Sequence, residues 1–193
     1  MLKITPVLYE LPEFAEFQRL LESKNAIRIK GGYGSLLAAI INFIKETQKR
    51  PILIVQPDGD AAEKLIDDLR SFMPESHAAY FPSDEVVPFD KGMFTPALYS
   101  MRLNALALAV ENPAPVLVTT PPAVLRRVPP PESLKKNIVH LKKGEDFERD
   151  LLLEWLVDSG YERMPIIEEI GQFSARGGIV DVFVEYLIPD WVD

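Results

Sequence analysis

Short apolar runs that alternate with helical stretches constrain this chain more than any other feature in it. Ala26–Lys30, Pro51–Val55, Ala78–Phe81 and Val116–Thr120 each read as a strand of four or five residues. Between them, Leu36–Lys49, Ala61–Met73 and Ala97–Glu111 carry apolar side chains at helical spacing, with Leu65, Ile66 and Leu69 expected to face inward. Ser35 is the expected N-cap of the first of these helices, and Pro121 opens a short helix to Arg127. Pro51–Val55 is apolar throughout, as expected of a strand covered by helices on both faces. The alternation predicts βαβ crossovers and a doubly wound, parallel α/β sheet. An additional helix, Leu11–Glu22, places Leu11, Phe14, Phe17, Leu20 and Leu21 on one side.

Val128-Pro129-Pro130-Pro131 is stiff and cannot continue a helix, so the expected domains are 1–127 and 128–193. The second reads as a smaller α+β unit. Its elements are a strand at Ile138–Leu141, a helix at Phe147–Ser159 with Leu151, Trp155 and Leu156 on one side, and a β-hairpin around Gly171 and Gly177-Gly178.

Charge narrows the partners. Residues 1–127 hold 14 Lys+Arg against 15 Asp+Glu and residues 128–193 hold 7 against 14, so nearly all of the net −8 lies in the second unit. Gripping DNA or an anionic membrane needs a cationic stripe that neither part provides, which favours protein partners. The absence of cysteine removes disulfides, thiolate nucleophiles and Cys-ligated zinc. No apolar run is long enough to span a bilayer, and Met1–Glu10 lacks the features of a signal peptide, so a cytoplasmic location and no membrane partner are expected. His77 and His140, far apart among apolar neighbours, are expected to be structural.

The glycine turn Gly31-Gly32-Tyr33-Gly34 sits between an expected strand and an expected helix, the setting of a phosphate loop. A working loop, G-x-x-x-x-G-K-[ST], supplies a lysine to the β and γ phosphates and a hydroxyl to magnesium. With Gly34 as its last glycine, this chain has Ser35 for the lysine and Leu36 for the hydroxyl. Both groups that neutralise a triphosphate are missing, so no cofactor is expected and the turn reads as a simple strand-to-helix connection. Weak anion binding by the bare helix end is the alternative. Asp58 with Asp60, and Asp84 and Glu85 with Asp90, read as loop and first-turn acids and not as catalytic or metal-binding pairs.

Two passages resemble a known family. Gly171 to Phe183, GQFSARGGIVDVF, is similar to the G-x-[FY]-x-x-R-G-x-[ILV]-[ILV]-D-[ILV]-F signature of the UvrB-type domain shared by UvrB and the bacterial transcription-repair coupling factors. Phe81 to Asp90, FPSDEVVPFD, resembles the coupling factors' F-P-x-x-E-x-x-P-[YF]-[DE] connection. The helix near Ser100-Met-Arg-Leu and the Val118 to Pro131 segment follow in that family's order. UvrB itself has an intact ATP loop and, inserted near this chain's residues 82–100, a long aromatic-rich hairpin that clamps damaged DNA. This chain has neither, so the resemblance leans to the coupling factors.

The resemblance implies a degenerate helicase-like domain without ATPase activity, followed by a small domain that docks UvrA, the damage-recognition ATPase. Residue by residue it carries over Arg176, the motif arginine, Phe173, the motif aromatic, and Arg163, eight residues before Gly171. Where UvrB has a further arginine this chain has Ser174. An exposed pairing of Arg176 with Glu168 or Glu169 is the competing structural role, and Phe173, Ile179 and Phe183 are expected to be core. RNA polymerase and DNA would be engaged by regions of the parent protein outside this chain. The family continues beyond Phe183 through a proline turn into further strands, so a fragment truncated at its carboxyl end is the expectation. Two other roles stay open at this point: a nucleotide-binding ATPase fragment, and an autoinhibitory cover for the parent motor.

Overall fold

A computed structural model describes residues 9–24, 26–83 and 96–184. The expected acids Asp84, Glu85 and Asp90, most of the Phe81–Asp90 passage, the Met1 end and the last residues lie outside them. The chain is α/β, with a three-stranded parallel sheet and a second, mixed sheet of three strands.

Helix α1, Pro12–Ser23, opens with proline at its first turn and buries Phe14. Leu11 lies at its N-cap and is exposed. Phe14 meets Phe43 of α2, Ser35–Gln48, with ring centroids 5.0 Å apart in a T-shaped contact. Six consecutive residues of α2, Ala38 to Phe43, are buried because the helix is sandwiched. Its Ile40 and Phe43 side packs on α1, while Ala38, Ala39 and Ile41 face the sheet.

The main sheet consists of β1, Ile52–Val55, β2, Ala78–Phe81, and β3, Val116–Thr119, in the order β1-β3-β2. Ile52 and Ile54 of β1 are set beside Val116 and Val118 of β3, both fully buried. Helix α3, Gly59–Arg70, covers this face with Leu65, Ile66 and Leu69, as its spacing predicts. Asp58 caps it by accepting a hydrogen bond from the Ala61 N–H at 2.8 Å, a contact worth about 1 kcal/mol.

On the opposite face Ala79 and Phe81 pack on Ala105 and Leu108 of α4, Pro96–Glu111. The Arg102 guanidinium lies 4.2 Å from the Phe81 ring centroid and donates to the Pro82 carbonyl, tying the start of the Phe81 passage to α4. That cover stops short of β1, where Leu53 is 58% exposed and Val55 51%. The expectation of a strand buried on both faces therefore fails at β1. It is an edge strand, and only its Ile52–Ile54 side is covered.

Two expected strands do not form. Ala26–Lys30 pairs with no strand among the described residues and Ile29 is exposed, so the described sheet has three strands and not four. Ile138–Leu141 is also unpaired among the described residues, with Leu141 exposed. An unexpected helix, α6, Pro131–Lys136, follows the short α5, Pro121–Val124, and packs against α4. Its signals were present in the sequence: proline in the first turn, Glu132 near the amino end, and Lys135 and Lys136 near the carboxyl end. His140 Nε2 reaches Glu111 Oε1 of α4 at 2.8 Å, a structural contact as expected.

Helix α7, Arg149–Asp158, lies beside the second sheet and buries Leu156, whereas Leu151, expected on the same side, is exposed. Among the described residues no helix is long and apolar enough to cross a membrane.

His77 ends a short 3-10 turn before β2. Burial pushes its pKa below the ordinary value, and Lys45 adds to the shift while Glu46 opposes it. The unfolded chain therefore takes up this proton more readily than the folded one. The resulting stability is present above about pH 6.5 and is lost as pH falls through that value toward the depressed folded pKa. Thermal midpoints measured from pH 7.5 to 5.5 should decline less in His77→Gln than in the parent; parallel curves would contradict this.

Candidate docking face and the vacant phosphate-loop position

Among the described residues no strand leads into the glycine turn, unlike the strand-to-helix setting expected of a phosphate loop. Gly34, with φ 56°, is the N-cap of α2, and Ser35 is the first helical residue and not the cap expected. Ser35 Oγ instead donates to Asp68 Oδ1 of α3 at 3.2 Å. Helix α3 leaves the carboxyl end of β1 and returns toward the amino end of β2. Asp68 lies nine residues beyond Gly59, roughly 13 Å along that helix.

Ligands of open α/β sheets bind outside the carboxyl ends of the strands. Here the position corresponding to the phosphate-binding lysine is a serine whose hydroxyl is engaged by a carboxylate in the last turn of α3. Leu36 is partly exposed and supplies no ligand atom for a cation. Gly31 and Gly32 complete the turn, with Gly32 so close to Ile40 that an added Cβ would approach its Cδ1 to 3.3 Å. Asp58, imagined beside Asp60 as an acid pair, is engaged as a helix cap. No cluster of three or more metal-ligating side chains occurs among the described residues.

The second sheet is β4, Glu162–Arg163, β5, Gln172–Arg176, and β6, Ile179–Val182, in that order. Strand β5 pairs parallel with β4 and antiparallel with β6. The hairpin is shaped by two glycines. Gly177, φ 59°, takes the first central position of a two-residue turn, where a type II′ geometry requires positive φ. Gly171, φ 86°, donates to the Phe183 carbonyl while the Phe183 N–H donates to the Gln172 carbonyl, the pattern of a glycine bulge.

Side chains alternate strictly across this sheet. Phe173 stands opposite Val182 and is 1% exposed, so it is interior. Ser174 stands opposite Asp181 and Arg176 opposite Ile179, on the other face. In the parallel pair Arg163 is level with Phe173. Arg163 and Arg176 are therefore rooted on opposite faces, and the three residues that the resemblance carries over do not form one surface. Arg163 is an exposed edge residue with no ion-pair partner among the described residues.

Arg176 is exposed and pairs with Asp181 at 2.9 Å, not with Glu168 or Glu169. The amides of those two glutamates are held instead by Gln172 Oε1, at 2.8 and 3.1 Å. Ser174, buried, donates to the Pro165 carbonyl at 3.1 Å, which fixes the 165–169 loop over the Arg176 face. Ile179 and Phe183, expected to be core, are 64% and 38% exposed on this same face. Ile166, in the loop above it, is 70% exposed and was not singled out by its sequence context. Ile179, Val180, Val182 and Phe183 are all apolar, so which of them face outward is decided by pairing.

The hairpin lies within residues 139–189, which a family model described as UvrB interaction domain matches. Over most of its length the chain is similar to transcription-repair-coupling factors, and it corresponds to their amino-terminal UvrB-like region. That of Bacillus subtilis (strain 168) is 29% identical over 155 residues, covering 80% of this chain and 13% of the relative. That of Myxococcus xanthus is 30% identical over 177 residues, covering 88% and 15%. That of Staphylococcus haemolyticus (strain JCSC1435) is 27% identical over 172 residues, covering 88% and 14%. The chain thus spans 13 to 15% of the length of these relatives.

Proposed function

We propose that the chain is a non-catalytic docking module that binds UvrA and acts in transcription-coupled nucleotide excision repair in the cytoplasm. The observation that carries this reading is the outward Arg176 on a hairpin lying within the matched UvrB interaction domain. Arginine suits such a contact because its planar fork binds carboxylates bidentately and keeps its charge when desolvated. In this reading residues 1–127 are the scaffold and 128–193 the docking unit. RNA polymerase and DNA are engaged by parts of the longer relatives that this chain does not match.

Support for the non-catalytic half comes from the Ser35–Asp68 contact and the unformed strand before the glycine turn. Calorimetry with ATP and magnesium should give no heat above dilution, whereas saturable binding with turnover would overturn this half. Size-exclusion chromatography of the chain mixed with UvrA at micromolar concentration should show co-elution. Separate elution would overturn the docking half.

A further inference from the structure

Resting on that reading, we propose that this chain grips UvrA through apolar contacts as well as charge, with Ile166, Ile179 and Phe183 on the face that carries Arg176, and that Ser174 is the positioning residue that holds Ile166 in place. The partner surface it fits is an apolar depression with one carboxylate near its rim.

Three observations converge. First, the outward face of β6 carries Ile179 and Phe183 on either side of Asp181, and Ile179 stands opposite Arg176, so the apolar side chains border the cation directly. Exposed isoleucines of this degree beside an arginine make a surface typical of an interface centre, where water exclusion strengthens the charge contact. Second, Arg176 is already paired with Asp181. Its net charge toward a partner is partly cancelled, so a contact to it gains strength where flanking apolar side chains exclude water. Third, the loop bearing Ile166 is not loose. It is tied through the Pro165 carbonyl to Ser174 and through the Glu168 and Glu169 amides to Gln172. Ser174 occupies the position where the resemblance places a further arginine in UvrB. Its hydroxyl points inward to the loop, exchanging a possible second cation for a fixed isoleucine.

The test is a set of UvrA titrations with the whole chain and the variants Arg176→Ala, Ile166→Ser, Ile179→Ser, Ser174→Ala and the double variant Ser174→Ala with Ile166→Ser. Ile166 and Ile179 are mostly exposed, so their serine variants should keep the parent melting temperature. Each is expected to weaken binding about tenfold. Ser174→Ala should weaken binding by a smaller factor, and the double variant should bind no worse than Ile166→Ser alone, because both changes remove the same contact.

The outcomes separate cleanly. No binding by the unaltered chain overturns the UvrA reading itself. Binding that falls with Arg176→Ala but not with either isoleucine variant overturns the apolar grip and leaves that reading standing. Additive losses in the double variant overturn the positioning role of Ser174.

Discussion

Replacing Arg176 by alanine is expected to weaken UvrA binding by about 2 kcal/mol or more, about thirtyfold in affinity, without lowering the melting temperature. The two halves of that expectation come from different features. The side chain is 69% exposed and its pair with Asp181 is a surface contact, so its removal costs the fold well under about 1 kcal/mol. In a complex, the same guanidinium would be shielded by Ile179 and Phe183, and a partner carboxylate left facing alanine would be both desolvated and unpaired. Lysine at this position should recover only part of the loss, since it keeps the charge but not the bidentate fork. Equal affinity for the parent and Arg176→Ala in a direct titration would exclude this face as the docking site.

Phe173→Ala should act in the opposite way, by destabilising the second sheet by about 3 to 5 kcal/mol. Phe173 and Leu156 are among the most deeply buried large side chains of the molecule, at 1% and 2% exposure. Removing the ring leaves a cavity on the covered side of the hairpin that these short strands have little means to close. Trp155, whose ring lies 6.4 Å from that of Tyr161 in the same unit, is a fluorescence reporter for the event. Its unfolding transition should move to much lower denaturant, and UvrA binding should fail in proportion to the unfolded fraction. Loss of binding with an unchanged transition would instead give Phe173 a direct contact, which its burial in the free chain opposes.

The parts of the fold that the sequence displayed are those decided by local periodicity. Leu65, Ile66 and Leu69 fixed the buried side of α3, and the Gly177-Gly178 pair fixed the hairpin turn. Expectations failed where the outcome depended on a distant partner. Ala26–Lys30 alternates like a strand, but alternation states only a preference. Pairing needs an adjacent edge, and β1 has β3 on one side and nothing described on the other. The same reasoning explains Leu53 and Val55, which are as apolar as Ile52 and Ile54 yet lie on the uncovered face.

Helix α7 carries Leu151, Leu152 and Leu153 in succession, so its pattern does not say which leucine turns inward; contact with the second sheet selects Leu156 and leaves Leu151 out. The proposed docking face was legible in kind but not in membership. A motif can name Arg163, Phe173 and Arg176, but only the strand register shows that one is interior and the other two point to opposite sides. Asp181 as the partner of Arg176 was likewise hidden, because the pair is diagonal across two strands.

The central claim is that the chain meets UvrA through the second sheet while the former phosphate-loop position stays unused. Amide hydrogen exchange of the whole chain, with and without UvrA and in the presence of ATP and magnesium, tests it most directly. Protection is expected across Pro165–Ile170 and the 172–183 hairpin, with none gained at 31–36. Protection at 31–36, or a hairpin that exchanges equally fast in both samples, would contradict it.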